Sequence, residues 1–107
     1  MQTDGKVRLR GMLGFAMRAG RVTVGTESVC KQLARGGAVL VLVCFDASCG
    51  TKKRLRTKCD FYQVKLQEIE IDTGELGSLL GKTYGPAAVA ITDERFAKEI
   101  VGCLAIN

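Results

Sequence analysis

Between Gly25 and Arg35 the sequence places Thr26, Glu27, Ser28, Lys31 and Arg35, donors and acceptors whose spacing suits one face of a helix. Glu27 and Lys31 stand at i and i+4, as do Lys31 and Arg35, and Ser28 and Lys31 stand at i and i+3. Side chains at these separations are neighbours on a helix surface. A helix start offers backbone N–H groups without an intrahelical partner and a partial positive charge, and a glycine there lets a phosphate or a base edge come close. Lys31 can donate to guanine O6 and N7 or to phosphate, whereas an ionised Glu27 can only accept, for example from a base amino group. The same residues also fit a plainer account, a solvated Glu27–Lys31 ion pair after an ordinary glycine turn.

Residue types that carry catalysis are present without their partners. Cys49 precedes Gly50-Thr51-Lys52 near a helix start, where a thiolate could be activated, yet the chain has no histidine to serve as its base. The Gly50-Thr51-Lys52 string lacks the glycine-rich lead and the Gly-Lys-Ser/Thr order of a phosphate loop. Glu68 and Glu70 share a strand face, but beside isoleucines at the strand's end. The five cysteines, Cys30, Cys44, Cys49, Cys59 and Cys103, form no C-x-x-C pair. Their odd number suits reduced thiols in a cytosolic protein, and zinc would need closer ligand pairs. The expectation is a protein that is not an enzyme and holds no metal or cofactor.

Charge points to a polyanionic partner. The net charge is +5, but Lys6, Arg8, Arg10, Arg18, Arg21, Lys31 and Arg35 accompany only Glu27 between residues 6 and 35. Lys52, Lys53, Arg54, Arg56 and Lys58 crowd a second window, while the acids Glu68, Glu70, Asp72 and Glu75 gather apart. One positive and one negative region follow, and nucleic acid suits the first.

The elements that must position these residues alternate. At 107 residues the chain has room for one domain, 1–107, and Pro86 is its single proline. Leu9, Met12, Leu13 and Ala16 recur at helical spacing from Lys6 to Ala19, and Gly20 supplies a stop. Arg21 to Val24 reads as a short strand, and Gly25-Thr26 as the N-cap of a helix running to about Arg35 and ending at Gly36-Gly37. Val39 to Phe45 is continuously apolar, as in a central strand buried on both faces. It is too short to span a membrane, and the polar start from Met1 to Arg10 carries no export signal, so a cytoplasmic location is expected.

Asp46-Ala47-Ser48 reads as a loop before a basic helix with Leu55, Cys59 and Tyr62 inward. Val64 and Leu66 begin a strand whose phase slips before Ile69 and Ile71, which predicts a bulge or a strand end. A short helix with Leu76, Leu79 and Leu80 follows, then a loop over 82–86, the β-prone run Ala87 to Ile91, and a last helix starting near Thr92-Asp93. This order favours about four strands covered by helices on both faces.

Four of these stretches, in this order, carry a resemblance: Gly25-Thr26-Glu27-Ser28-Val29-Cys30-Lys31, Val41 to Ser48, Glu75-Leu76-Gly77, and Val89-Ala90-Ile91-Thr92-Asp93. From Leu13 to Leu104 the chain resembles the kink-turn RNA-binding ribosomal proteins, especially their small YlxQ-like bacterial branch. The resemblance implies a three-layer α/β/α sandwich with a mixed sheet. It also implies an RNA surface built from the start of the second helix and two neighbouring loops: Gly25, Thr26, Glu27, Ser28, Lys31 and Arg35, with Asp46, Ala47 and Ser48, and Gly85, Pro86, Ala87 and Ala88. Glu27 and Ser28 depart from the family pattern, which usually has asparagine and then glutamate there.

Regular A-form RNA hides its base edges, so a protein helix reads bends, bulges and loops. Arg18, Arg21, Lys31 and Arg35 are expected to replace the ions crowded at such a bend. Gly85 to Ala88 suits either a small apolar surface under an extruded nucleotide or a plain turn. Lys52 to Lys58 suits either a phosphate grip or, preferably, a solvated face, because it need not point to the side of Gly25. RNA, including ribosomal RNA, is the expected partner, with ribosome association and a monomeric state. The rival reading is a protein-interaction module of the translation or transcription machinery that uses the acidic edge from Glu68 to Glu75.

Overall fold

A computed structural model describes residues 3–104, in the order α1 (Thr3–Arg18), β1 (Val22–Val24), α2 (Thr26–Arg35), β2 (Leu40–Cys44), α3 (Cys49–Tyr62), β3 (Lys65–Ile69), α4 (Thr73–Leu79), β4 (Ala88–Ile91) and α5 (Glu94–Leu104). The four strands form one mixed sheet in the order β1-β4-β2-β3. β4 runs antiparallel to both β1 and β2, while β2 and β3 are parallel. The expected α/β/α sandwich is the observed architecture.

Apolar residues along β2 and β4 serve two cores, one on each side of the sheet. Leu40, Leu42 and Cys44 of β2, with Val89 and Ile91 of β4, pack against Leu9 and Leu13 of α1, Leu76 of α4 and Ile100 and Cys103 of α5. Val41 and Val43, with Ala88 and Ala90, face Val29 and Leu33 of α2 and Leu55 and Cys59 of α3. Successive strand side chains point to opposite faces, so a strand covered on both sides must be apolar throughout. Every residue of β2 and β4 is buried, at about 1.5–3 kcal/mol for each large aliphatic side chain. β4 turns alanines toward α2, which lets that helix lie close to the sheet.

Of the two expectations for the phase slip in β3, a bulge or a strand end, the bulge is absent and the strand does end just after the slip, at Ile69. β3 pairs with β2 in unbroken register from Leu40–Lys65 to Cys44–Ile69. Leu66 belongs to the core under α2 and α3, and Ile69 to the core under α1 and α5. An edge strand that feeds both cores reads as two half-patterns of opposite phase.

Helix ends follow local chemistry. Ser48 and Asp72 cap α3 and α4 by accepting from the N–H groups of Thr51 at 3.1 Å and Glu75 at 2.7 Å. Asp93 caps α5 by accepting from Arg95 at 2.8 Å and Phe96 at 3.1 Å. At α2 the cap is Gly25, the first of the two residues expected to form it, with no side-chain hydrogen bond, and Thr26 is the first helical residue.

Candidate nucleic-acid interface

β1 and β2 run in the same direction and β4 against them, so one rim of the sheet collects the end of β1, the end of β2 and the start of β4. Gly25, Asp46 to Ser48 and Gly85 to Ala88 therefore meet, although they are far apart in the chain. The Gly25 N–H donates to the Ala88 carbonyl at 2.9 Å, and the Cys44 N–H donates to the Ala87 carbonyl at 2.8 Å. The Cys44 thiol donates to the Pro86 carbonyl at 3.7 Å.

On this rim α2 begins with uncapped first-turn N–H groups. Gly25 has φ 98° and ψ 145°, a backbone conformation that side-chain-bearing residues avoid, and the space where a Cβ would stand is open. Glu27, Ser28 and Lys31 are exposed, and Thr26 is half-buried. Arg35 is exposed at the far end of α2, about 14 Å from its start at the usual helical rise.

Not every residue expected on this surface reaches it. Ala88 is 0% exposed and Ala47 8%, and Pro86 is also buried. These three support the rim from beneath, because β4 and the turn after β2 drive their small apolar side chains into the core. Gly85 and Ser48 are exposed and Ala87 half-buried. The Asp46 carboxylate accepts from the Thr73 N–H at 3.0 Å and from the Thr73 hydroxyl at 3.2 Å, which ties the β2–α3 turn to the start of α4.

Arg18 and Arg21 stand at the opposite rim. Arg21 precedes β1, its carbonyl accepts from the Thr92 N–H at 3.0 Å, and its guanidinium lies 3.9 Å from the Asp93 carboxylate. The Arg18 guanidinium lies over the Phe15 ring at 5.4 Å. β1 lies between Arg21 and Gly25, so the two are at opposite ends of that strand.

Glu27 does not pair with Lys31. Its carboxylate accepts two parallel hydrogen bonds from Arg54 of α3, Nη1 to Oε2 at 2.8 Å and Nη2 to Oε1 at 3.2 Å. The Arg54 hydrogen bonds and charge, with smaller contributions from Lys31 and Lys58, hold the Glu27 carboxyl below the usual carboxylate range. One flank of the basic helix therefore lies on the side of Gly25, while Lys53, Arg54, Arg56 and Lys58 remain exposed, as the preferred reading of a solvated face has it. The signal was Arg54 and Lys58, at i and i+4 beside the inward Leu55 and Cys59. Strand order, which puts α2 and α3 on the same sheet face, was what the sequence lacked.

Elsewhere acids and bases cancel. Glu75 pairs with Arg10 and lies 3.9 Å from Lys6, and Lys52 is 3.2 Å from Glu68 while donating to the Phe45 carbonyl at 2.6 Å. The separate positive and negative regions read from the sequence are thus partly folded onto each other. Among the described residues no cluster of His, Cys, Asp or Glu could hold a metal, and no helix is long and apolar enough to cross a membrane.

Residues 8–101 match the ribosomal protein L7Ae/L30e/S12e/Gadd45 family. The chain is 37% identical over 93 residues to a Bacillus subtilis protein named RNA-binding protein YlxQ, spanning 87% of this chain and 91% of that one. It is 32% identical over 100 residues to the protein of the same name in Enterococcus faecium, spanning 92% and 93%. A solved protein of unknown function from Bacillus halodurans superposes with a TM-score of 0.84 at 28% identity, covering 92% of this chain and 97% of that one.

Proposed function

The chain belongs to the ribosomal protein L7Ae/L30e/S12e/Gadd45 family, a family of ribosomal-type proteins and not of enzymes, and from that premise we propose that it binds RNA and recognises a kink-turn or a similarly bent duplex. One observation carries the reading. The open, uncapped start of α2 lies hydrogen-bonded beside the Gly85–Ala88 segment, so base edges and phosphates at a bend can meet N–H donors, Ser28 and Lys31 together. A continuous duplex offers that tip no base edge to read.

A titration of a kink-turn duplex against a straight duplex of equal length, at physiological salt, tests the proposal. The expected outcome is tighter binding to the kinked RNA, and equal affinity for the two rejects it. Lys31→Ala should weaken the kinked complex by about 1–3 kcal/mol if the lysine reads a base, and by less if it meets phosphate alone. On this reading the protein works as a monomer in the cytoplasm, ribosomal RNA is among its partners, and sedimentation with ribosomes tests the association.

A second reading draws on Glu27 standing where the family pattern has asparagine, already occupied by Arg54. The chain would then be a protein-interaction module of the translation or transcription machinery, presenting exposed Glu70 and Asp72. Glu27→Asn separates the two readings. It should tighten RNA binding under the first, by restoring a donor and removing a negative charge, and leave RNA binding weak under the second.

A further inference from the structure

We propose that the cleft between α2 and α3 receives a backbone phosphate of the bound RNA, and that in the free protein Glu27 holds that phosphate's place by clasping Arg54. The inference rests on the RNA-binding reading above and adds to it a second helix, a positioning residue and an exchange of anions.

The geometry is that of a small charged quadrilateral. α2 and α3 pack side by side on one face of the sheet, and the Glu27–Arg54 fork bridges them near the rim. One helical turn further on, at i+4 in each helix, stand Lys31 and Lys58, both exposed. Neither lysine forms an ion pair among the described residues. Three cations thus surround a single carboxylate, and the excess charge lies beside the uncapped start of α2.

The carboxylate is poorly placed to be a permanent occupant. The Glu27 side chain is 75% exposed and that of Arg54 43%, so water and salt screen the pair. A phosphate diester offers two non-bridging oxygens to the same guanidinium fork that now grips the two carboxylate oxygens. It also shares its charge with Lys31 and Lys58, as the carboxylate does, and releases counterions from the RNA, which the internal carboxylate cannot do. Exchange therefore favours phosphate over Glu27 once RNA docks at the rim. Glu27 then swings to solvent or accepts from a base amino group, as its exposure permits.

Fluorescence titrations of a kink-turn duplex at several KCl concentrations test this, with wild type, Arg54→Gln, Lys58→Gln, Glu27→Gln, the Glu27→Gln/Arg54→Gln double variant, and Lys98→Gln on the far side of the sheet as a control. All of these side chains are exposed, and melting curves should coincide with wild type. Arg54→Gln and Lys58→Gln should each weaken binding by roughly 3- to 10-fold and lower the salt slope by about one. Glu27→Gln should tighten binding severalfold in the wild-type background and by clearly less when Arg54 is already glutamine, because no clasp is left to open. Equal gains in the two backgrounds would overturn the clasp. Arg54→Gln and Lys58→Gln behaving like Lys98→Gln would overturn the phosphate site while leaving kink-turn recognition by the wild type standing. A wild type that fails to distinguish kinked from straight RNA removes the proposed function, and one that binds neither removes this inference with it.

Discussion

Gly25 closes one element and opens the next within a single residue. Its N–H makes the last bond to β4, at the Ala88 carbonyl, and its own carbonyl accepts the first helical bond of α2 from Val29 at 2.9 Å. Both bonds can be made only if the chain turns sharply between them, which the φ of 98° achieves. Nothing stands where a Cβ would be, so Gly25→Ala meets backbone strain and no collision. The expected cost is about 1–3 kcal/mol, read as a lower urea midpoint, and an unchanged midpoint would show that the turn tolerates a side chain. The buried thiols give a second prediction at this scale. Burial, then Asp46 and Asp72, pushes the Cys44 thiol up to about 12, and burial, then Asp60 and Cys30, pushes Cys59 up to about 11, from an ordinary value of 9.0. Below that ordinary value both thiols are neutral in either state, and their contribution to stability is complete. As pH climbs through about 9 toward 11 the unfolded chain loses these protons while the fold keeps them, so stability falls. Denaturation midpoints should decline over that range, and less steeply in a Cys44→Ala/Cys59→Ala variant. At pH 8 a thiol reagent should label exposed Cys49 in the native protein and reach Cys44 and Cys59 only on unfolding.

α4 meets the loop before β4 at Gly77, where a Cβ would collide with the Tyr84 carbonyl oxygen and touch Cδ of Pro86 at 3.4 Å. Gly77→Ala must therefore displace the 82–87 loop, whose end supports the rim beside Gly25. A loss of about 1–3 kcal/mol in stability is expected, accompanied by weaker RNA binding, and a melting temperature equal to wild type would refute the contact. Which elements could be read from the sequence follows from how many partners each needs. Val39 to Phe45 and Ala87 to Ile91 were legible as strands because burial on both faces writes itself as an unbroken apolar run. The helix from Gly25 to Arg35 was legible from its glycines and spacing. β3 was legible in its end, at Ile69, but its phase slip left a bulge open, because a strand that serves two cores in opposite phase looks like one in one dimension. Ala47 and Ala88 were misread as surface because small residues suit either a loop or a tightly packed core. The Glu27–Arg54 contact spans two helices whose adjacency depends on strand order, and periodicity within either helix carries no trace of it. The family resemblance brought Gly25 and the Pro86 turn together in advance; the residues alone did not.

Across the whole molecule, ion pairing redistributes a charge that composition only totals. Lys6 and Arg10 are turned to Glu75, Lys52 to Glu68 and Arg21 to Asp93, so these basic side chains are screened by acids of the fold itself. Lys31 and Arg35 of α2 and Lys53, Arg56 and Lys58 of α3 are exposed and form no ion pair among the described residues. Both helices therefore add unpaired positive charge to the α2–α3 side, where a polyanion can meet it. Each cation that meets a phosphate displaces a counterion, and the slope of log affinity against log salt counts those contacts at about 0.7–0.9 apiece. Three to five such contacts give a slope of roughly −2 to −5. The origin of that slope is the sharper test, because it asks which end of the sheet faces the RNA. Substituting Lys31, Arg54 and Lys58 together by glutamine should flatten the salt dependence. Substituting Arg18 and Arg21, at the opposite rim, should leave it nearly unchanged. The reverse result would mean that RNA lies against the α1–β1 end of the sheet, and that the surface at Gly25 is not where the protein binds.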